Sequence, residues 1–209
     1  MHSERPDFAS ERTAFDKGVW PCAGADEAGR GPLAGPVVAA AVILDPERIP
    51  AGIDDSKRLT AARREALFAE IMDTALAVSA CSIAAESIDR SDIRKASLAA
   101  LARAANTLSL SPKLLLIDGR DLPDGLPCAA QAIIGGDRRC LSIAAASIIA
   151  KTLRDRMMVR ASALHPQYGF ASHKGYASAA HRAAIADHGG CLRLHRFTFA
   201  PLRQAAFEF

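Results

Sequence analysis

Short apolar runs alternate with longer amphipathic segments along this chain. Val37–Leu44 is an unbroken apolar run, which is typical of a strand buried on both faces of a sheet. The pattern predicts five strands, at Val19–Asp26, Val37–Leu44, Ala77–Ala84, Leu114–Asp118 and Ala129–Ile134. It also predicts four helices, at Thr60–Ala77, Asp92–Leu108, Ser142–Ala163 and Ser178–Asp187.

The order of these elements predicts an α/β domain of two or three layers. The first three strands suit antiparallel neighbours, and the helix between the third and fourth suits a crossover to a parallel strand. Because no linker interrupts the pattern, residues 19–209 are expected to form a single domain. Residues 1–18 carry charges of both signs and no apolar segment, so we expect a flexible tail rather than a secretory signal.

Composition narrows the class of protein. The 209 residues are 50% hydrophobic and 23% charged, which is ordinary for a globular domain, and no stretch approaches the ~20 apolar residues that span a bilayer. The five cysteines are scattered and never form a Cys-x-x-Cys pair. We therefore expect reduced thiols, a cytoplasmic protein without membrane association, and no cysteine zinc site.

The charge is unevenly distributed. Residues 138–209 contain 11 Lys and Arg against three acids, whereas the first 137 residues carry a net charge of −5. A basic C-terminal third suits a polyanion such as nucleic acid, because each neutralised phosphate releases counterions. The alternative is an ordinary solvated charged surface.

The most informative stretch places Asp26 and Glu27 beside Gly29, Arg30 and Gly31. Successive side chains of a strand point to opposite faces, so the two acids can share one ligand only if the chain bends at Glu27. The glycines permit such a bend. The alternative is an acidic turn with glycine punctuation.

Two further acids follow buried segments. Asp118 ends an apolar strand, where a carboxylate is costly unless it is paired or metal-bound. Asp137 follows Gly135 and Gly136 and precedes a long helix, so it also suits a helix cap or a charge at the helix N-terminus. Carboxylates of this kind suit the binding of Mg²⁺, which prefers oxygen ligands.

Five motifs in order give the chain a resemblance to a known family. From about Gly24 to about Pro201 it resembles ribonuclease HII, the type 2 ribonuclease H. The matching segments are Asp26–Pro36, Asp55–Leu59, Leu114–Gly119, Gly136-Asp137 leading into Ile143–Lys151, and Pro166–Phe170 with His173–Tyr176. The resemblance implies the ribonuclease H-like fold, a mixed five-stranded sheet flanked by helices with a small helical C-terminal portion.

The resemblance also implies an activity. It is that of an endonuclease that hydrolyses the RNA strand of RNA–DNA hybrids and cuts 5′ of single ribonucleotides embedded in duplex DNA. The cofactor would be Mg²⁺ or Mn²⁺ in a two-metal mechanism that leaves 3′-hydroxyl and 5′-phosphate ends. The residues that match the family's catalytic carboxylates and metal ligands are Asp26, Glu27, Asp118 and Asp137.

Substrate contacts are expected elsewhere. In the family, the Gly29-Arg30-Gly31 loop and Tyr176 read the ribonucleotide at an RNA-to-DNA junction. Ser56, Lys57, Arg58 and Lys174 are candidate phosphate contacts. Ser147, Lys151 and Asp155 share one helix face, which the resemblance places beside the active site. The alternative to a role at the active site is that Lys151 and Asp155 form an ordinary ion pair on the helix surface, which stabilises the helix by only ~0.3 kcal/mol.

The chain departs from the family pattern at one position. The family commonly has Lys-Gly-Asp where this chain has Gly135-Gly136-Asp137, so Arg138 or Arg139 is expected to replace any phosphate contact of that lysine. The histidines at 165, 173, 181, 188 and 195 match no metal-ligand spacing, and we expect most of them at the surface.

Two other functions compete with that of a nuclease. A kinase or dehydrogenase with a glycine-rich phosphate loop requires a spacing that Gly29-Arg30-Gly31 lacks. A non-catalytic nucleic-acid-binding module leaves the carboxylates repelling phosphate without purpose, and a magnesium-dependent cleavage assay separates it from a nuclease. Type 3 relatives carry an extra N-terminal domain, whereas 25 residues precede Asp26, so type 2 is preferred. We expect a monomer.

Overall fold

The computed structural model describes residues 5–205 as five strands and eight helices. The strands are β1 (Cys22–Ala28), β2 (Val37–Ile43), β3 (Ala77–Ile83), β4 (Leu114–Asp118) and β5 (Ala129–Ile133). They lie in the order β3-β2-β1-β4-β5. The pairs β1–β2 and β2–β3 are antiparallel, and the pairs β1–β4 and β4–β5 are parallel. The predicted mixed five-stranded sheet is confirmed.

Four of the helices are those that the sequence predicts. The helices are α1 (Ala9–Asp16), α2 (Ala61–Thr74), α3 (Ala85–Asp89), α4 (Ile93–Asn106), α5 (Leu141–Leu164), α6 (Phe170–His173), α7 (Ala179–His188) and α8 (Leu202–Ala205). Short 3-10 turns occupy Gly136–Arg138 and Pro166–Tyr168. The sequence missed α1, α3, α6 and α8, because helices of four to eight residues are too short to show a helical period.

The helices cover both faces of the sheet, which resolves the layer count as three. Side chains alternate along β2: Ala39 and Ala41 pack in the cluster that contains α4, whereas Ala40 and Val42 pack in the cluster that contains α2 and α5. This two-sided burial explains why β2 reads as an unbroken apolar run.

The prediction of a flexible tail over residues 1–18 is wrong for Ala9–Asp16, while residues 1–4 lie outside the described residues. Helix α1 brings the Glu11 side chain into the interior, where its Oε1 accepts a hydrogen bond of 2.8 Å from the Ser142 backbone N–H. This carboxylate satisfies an amide in the first turn of α5. Burial raises the pKa of Glu11, and the Ser142 hydrogen bonds oppose that rise. No local sequence pattern reveals such a long-range cap.

Helix α5 lies unusually close to β1. A Cβ atom added to Gly24 would lie 2.2 Å from the backbone nitrogen of Ile143. The facing turns of α5 carry the small buried residues Ala144, Ala145 and Ala146. Because neither surface presents a large side chain there, the helix backbone rests almost directly on the central strand.

The chain after α5 forms the predicted small helical portion. Met158 of α5 packs with Tyr168, Phe170 and Ala184 in a separate apolar cluster that also includes Ala34 of the glycine-rich segment. The C-terminal helices are therefore attached to that segment. Within residues 5–205, every helix is too short or too polar to cross a bilayer.

The close contact at Gly24 predicts a large loss of stability from one added methyl group. We expect Gly24→Ala to lower the free energy of unfolding by about 1–3 kcal/mol or more, because either α5 or β1 must shift. Gly31→Ala is the matched control, since a Cβ at Gly31 meets no atom within 4 Å. Urea unfolding measures both. Equal stability of Gly24→Ala and wild type would contradict the close packing.

Candidate active site

Three carboxylates meet at one end of the sheet. In the parallel part of the sheet, Ala25 pairs with Ile117 and Asp118 pairs with Ile133, so β1, β4 and β5 end at the same edge. Asp26 follows Ala25, Asp118 ends β4, and Asp137 lies in the 3-10 turn just beyond β5. One oxygen from each of these three lies within 4.8 Å of the others. The sheet topology therefore assembles acids that are far apart in sequence.

Burial and mutual repulsion make this cluster costly without a cation. Asp26 is buried, and its pKa is raised well above the ordinary value, first by burial and then by the charges of Glu27 and Asp118. The pKa of Asp118 is raised by burial and by the charge of Asp137. Divalent cations with a preference for oxygen ligands would relieve both effects.

The turn before α5 fixes Asp118 relative to Asp137. The Gly136 backbone N–H donates a hydrogen bond of 2.7 Å to Asp118 Oδ1. A Cβ at Gly136 would lie 2.5 Å from Ile143 Cδ1, so a larger residue there would have to displace that buried side chain. Gly135 has a φ of +64°, in the left-handed region. The two glycines thus let the backbone turn tightly against Asp118.

Glu27 lies beside the trio rather than within it. Its Oε1 accepts a hydrogen bond of 3.2 Å from Arg30 Nη1. Burial raises the pKa of Glu27, Arg30 lowers it, and the charge of Asp118 raises it further. The expected bend at Glu27 is not seen, because β1 continues to Ala28 and the chain turns at Gly29, whose φ is +99°. The role of Glu27 as a metal ligand stays a prediction.

Lys57 supplies a positive charge to the cluster. Its Nζ donates a hydrogen bond of 3.0 Å to Asp137 Oδ2. Burial lowers the pKa of Lys57, but the hydrogen bond and the charge of Asp137 raise it on balance. Neighbouring Ser56 differs from the expectation of a phosphate contact, because its side chain is buried with Oγ 2.8 Å from Ser147 Oγ. Ser147 in turn hydrogen-bonds to Asp26.

The predicted face of α5 borders this cluster. Ser147 contacts Asp26, and one turn later Lys151 Nζ donates to Asp155 Oδ1 at 2.7 Å. Asp155 also lies 3.7 Å from Arg64 Nη2. The expected Lys151–Asp155 ion pair is therefore present, and it lies on the same helix face as the residue that supports Asp26.

Two buried arginines hold the glycine-rich segment, and the sequence analysis missed both. Arg154 Nε donates to the Pro36 carbonyl at 3.0 Å, and Arg196 Nη2 donates to the Gly29 carbonyl at 2.6 Å. Arg196 Nη1 also donates to the Arg30 carbonyl at 2.8 Å. Burial lowers the pKa of Arg154, and burial together with the charge of Arg154 lowers the pKa of Arg196 to about 9.

These contacts give the Gly29-Arg30-Gly31 loop a definite orientation. The carbonyls of Gly29 and Arg30 face Arg196, whereas the backbone N–H groups of Arg30 and Gly31 have no acceptor among residues 5–205. Gly29 cannot carry a side chain, since its Cβ would lie 2.1 Å from Arg154 Nε.

Of the two buried arginines, Arg154 was predictable from the sequence, because it lies seven residues after Ser147 on the same helix face. We find no comparable sequence signal for Arg196.

Tyr176 is 44% exposed, as expected for a substrate contact. Lys151 Nζ lies 5.5 Å from its ring centroid and Arg154 Cζ lies 5.7 Å from it. The preceding Lys174 has a φ of +53°, and its carbonyl accepts a hydrogen bond of 3.0 Å from Arg154 Nη1. The tyrosine ring is thus presented to solvent from a segment whose backbone is held by the same arginine as the loop.

Two other expectations are modified. The prediction that most histidines lie at the surface is wrong for His181 and His195, which are buried with their Nε2 atoms 3.1 Å apart.

At the position where the family has a lysine, Arg138 Nη2 lies 2.8 Å from the point that a Cβ of residue 135 would occupy. Arg138 therefore covers the position of the missing lysine, and Arg138 Nε lies 4.0 Å from Asp137 Oδ1.

Repulsion within the carboxylate cluster predicts a gain in stability when one charge is removed. In metal-free solution above the raised pKa of Asp118, we expect Asp118→Asn to increase the Tm, and the gain to shrink as pH falls through that pKa. Added Mg²⁺ should raise the Tm of wild type more than that of the variant. The exposed ion-paired Asp121, changed to Asn, is the control and should not raise the Tm. Calorimetry that gives Asp118→Asn a lower metal-free Tm than wild type would contradict this electrostatic account.

Comparison with known proteins agrees with this geometry. The ribonuclease HII family model matches residues 23–201. A ribonuclease HII of Mesorhizobium japonicum is 60% identical over 205 residues, which cover 98% of this chain and 89% of that protein. The ribonuclease H2 of Pyrococcus horikoshii superposes with a TM-score of 0.75 at 26% identity, covering 88% of this chain and 95% of that one. The ribonuclease HII in a PCNA complex from Archaeoglobus fulgidus gives 0.72 at 29% identity, with 88% and 97% covered. The chain belongs to the ribonuclease HII family and is a metal-dependent ribonuclease H, a hydrolase of RNA in RNA–DNA hybrids.

Proposed function

We propose that this ribonuclease also cuts duplex DNA on the 5′ side of a single embedded ribonucleotide, by two-metal catalysis, leaving 3′-hydroxyl and 5′-phosphate ends. The observation that carries the proposal is the position of the carboxylate trio beside a loop with two free backbone N–H groups and an exposed tyrosine. This arrangement supports the proposal that a cleavage centre lies next to a group that recognises one sugar.

The donor set fits divalent cations. Asp26, Asp118 and Asp137 offer only oxygen atoms, which Mg²⁺ and Mn²⁺ prefer, and their raised pKa values reflect an excess of negative charge. We infer that these three residues hold the cations, with Glu27 as a further ligand. Two cations bound there would supply a hydroxide nucleophile at neutral pH and stabilise charge on the leaving oxygen.

The surrounding residues hold the carboxylates ready. Ser147 supports Asp26, the Gly136 N–H supports Asp118, and Lys57 neutralises part of the charge on Asp137. The backbone N–H of Asp137 also hydrogen-bonds to the Asp118 carboxylate. The Lys57 side chain is 74% exposed and has a flexible stem, so its ammonium is able to turn from Asp137 to a substrate phosphate when cations bind the carboxylate.

Recognition of the ribonucleotide follows from the free donors of the loop. A 2′-hydroxyl accepts and donates hydrogen bonds, and it is the group that distinguishes RNA from DNA. The Arg30 and Gly31 N–H groups suit its oxygen as donors, while the Tyr176 ring supplies a stacking surface. Such a site reads one sugar and needs no run of RNA.

A basic groove beside the site suits the phosphate backbone. The groove has a volume of ≈ 620 Å³ and lies between α2, α5 and α6, where its lining includes Arg64, Arg156, Arg160 and Lys174. Only some of the basic residues of the C-terminal third are available to bind phosphate in the groove, because Arg154 and Arg196 are buried and Arg156 pairs with Glu65.

We also propose that the protein is a monomer in the cytoplasm, where the five free cysteines suit a reducing environment.

Cleavage of paired duplexes tests the proposed activity. One duplex carries a single ribonucleotide in DNA and the other a continuous RNA strand, at equal salt and equal Mg²⁺ or Mn²⁺. We expect wild type to cut both, with incision 5′ of the single ribonucleotide, and chelation to abolish both reactions. An enzyme that cuts only the continuous hybrid would contradict the proposal.

Variants of Tyr176 separate its two contributions. We expect Tyr176→Ala to slow cleavage at the single ribonucleotide by about 5- to 150-fold, since stacking of one base is worth ~1–3 kcal/mol. Tyr176→Phe keeps the ring and should retain most of the rate if stacking dominates. Steady-state cleavage measures both, and an unchanged rate for Tyr176→Ala would remove this residue from substrate recognition.

The groove predicts a salt-dependent contribution from Arg160. Arg160→Gln should weaken binding to an uncleaved hybrid in Ca²⁺ or EDTA and reduce the slope of log affinity against log salt by about 1. Arg103→Gln is the control, because Arg103 lies on α4 across the sheet. Fluorescence anisotropy over a salt series measures both slopes, and equal slopes for the two variants would contradict a phosphate contact in the groove.

A further inference from the structure

Three histidines of the C-terminal portion form a connected group outside the carboxylate site. His181 and His195 are buried with their Nε2 atoms 3.1 Å apart. His173 stacks on His181 with ring centroids 4.4 Å apart and an interplanar angle of 18°. His181 Nδ1 lies 2.9 Å from the carbonyl oxygen of Tyr176. The group therefore ends directly on the backbone of the exposed tyrosine.

The backbone partners fix the tautomer of each buried ring. Cys191 N–H donates to His195 Nδ1 at 2.9 Å, so this nitrogen carries no proton and Nε2–H is the donor of neutral His195. A carbonyl only accepts, so His181 Nδ1 carries the proton that bonds to Tyr176. His181 Nε2 is then an acceptor, and it faces the one donor that His195 has left.

Only the doubly neutral pair satisfies all three contacts. A proton added to His181 Nε2 would set two N–H groups against each other across 3.1 Å. A proton added to His195 Nδ1 would face the Cys191 N–H. His173 has the same arrangement, because its Nε2 bonds to the Tyr168 carbonyl and its Nδ1 accepts from the Gly175 N–H at 3.2 Å.

The hydrogen bond to Tyr176 completes a series of three held carbonyls. The Lys174 carbonyl accepts from Arg154 at 3.0 Å, the Gly175 carbonyl from the Leu33 N–H at 2.8 Å, and the Tyr176 carbonyl from His181. The first two bonds come from α5 and from the glycine-rich segment. The third comes from α7, and the same Tyr176 carbonyl also accepts a hydrogen bond of 2.8 Å from the backbone N–H of Ser178, the N-cap of that helix. His181 therefore adds a side-chain bond that ties the end of the segment to α7.

We propose that His181 and His195, as one neutral hydrogen-bonded pair, are positioning residues that set Tyr176 for recognition of the ribonucleotide. The proposal rests on the proposed function of Tyr176. Neither histidine touches the substrate: His181 acts through the Tyr176 carbonyl, and His195 acts by fixing the tautomer and orientation of His181.

The surroundings favour the neutral state. Burial lowers the pKa of His181, and burial together with the charge of His181 lowers the pKa of His195 to about 4. The titratable groups that face the pair are His165, His173, Tyr168, Tyr176 and Cys191. Glu86 and Asp89 line a pocket that His195 also borders. Among residues 5–205, however, their carboxylates bind Arg90, Phe197 and Thr198 rather than either histidine of the pair.

Two substitutions at His181 separate positioning from packing. In His181→Asn the amide nitrogen occupies the place of Nδ1, so the bond to Tyr176 is kept and the bond to His195 is lost. In His181→Gln the amide reaches the place of Nε2, so the bond to His195 is kept and the bond to Tyr176 is lost. The ratio of kcat/KM for the single-ribonucleotide duplex to that for the continuous hybrid is measured for each.

We expect His181→Asn to keep this ratio within about threefold of wild type and His181→Gln to lower it at least tenfold, with loss mainly in KM. Equal ratios for the two variants, whether high or low, would overturn the proposal. His188→Gln on the same helix is the control and should leave the ratio unchanged. A wild type that cuts no single-ribonucleotide duplex would instead overturn the proposed function.

A second measurement needs no variant. Long-range ¹H–¹⁵N NMR spectra of the wild-type protein at pH 7 report which ring nitrogen carries the proton. We expect His181 protonated at Nδ1 and His195 at Nε2, with both rings neutral at pH 7. The opposite tautomer at either ring, or an imidazolium at pH 7, would overturn the proposal even if the His181 variants fail to fold.

Discussion

The close packing of α5 on β1 at Gly24 is the constraint on which the active site depends. With no side chain between them, the helix and the central strand approach until the Ile143 amide lies where a Cβ would be. That approach brings Ser147 to Asp26 and, two turns later, Arg154 to the carbonyls around Gly29. Glu11 holds the start of the same helix through Ser142. One helix therefore positions both the carboxylates and the loop that is proposed to read the substrate.

Two buried groups of like charges lie on either side of the Gly29-Arg30-Gly31 loop, and they are stabilised differently. The carboxylate trio raises the pKa values of its own members and is relieved only in part by Lys57, which is why we propose it as the cation site. The buried arginines Arg154 and Arg196 are satisfied by backbone carbonyls. The first group is proposed to bind exchangeable cations, whereas the second holds the backbone through fixed hydrogen bonds to carbonyls.

The sheet and the carboxylates were predictable because their signals are local. β2 is an apolar run, and Asp118 ends another, so the strands and the acids at their ends could be identified from neighbouring residues.

Long-range contacts were not predictable from neighbouring residues. The burial of Glu11 and Arg196 depends on partners more than 100 residues away, namely Ser142 and the Gly29 carbonyl. The same holds for Ser56, whose burial follows from its contact with Ser147 across the site. His181 and His195 were predicted to lie at the surface, because a single sequence does not indicate that their side chains face each other.

Anomalous diffraction from crystals grown with Mn²⁺ and an uncleavable duplex containing one ribonucleotide tests the central claim most directly. The account predicts two manganese peaks about 4 Å apart at the end of the sheet, with oxygens of Asp26, Asp118 and Asp137 as ligands. The ribonucleotide 2′-hydroxyl should lie within hydrogen-bond distance of the Arg30 or Gly31 N–H. Manganese bound away from these three carboxylates, or a 2′-hydroxyl remote from the loop, would contradict it.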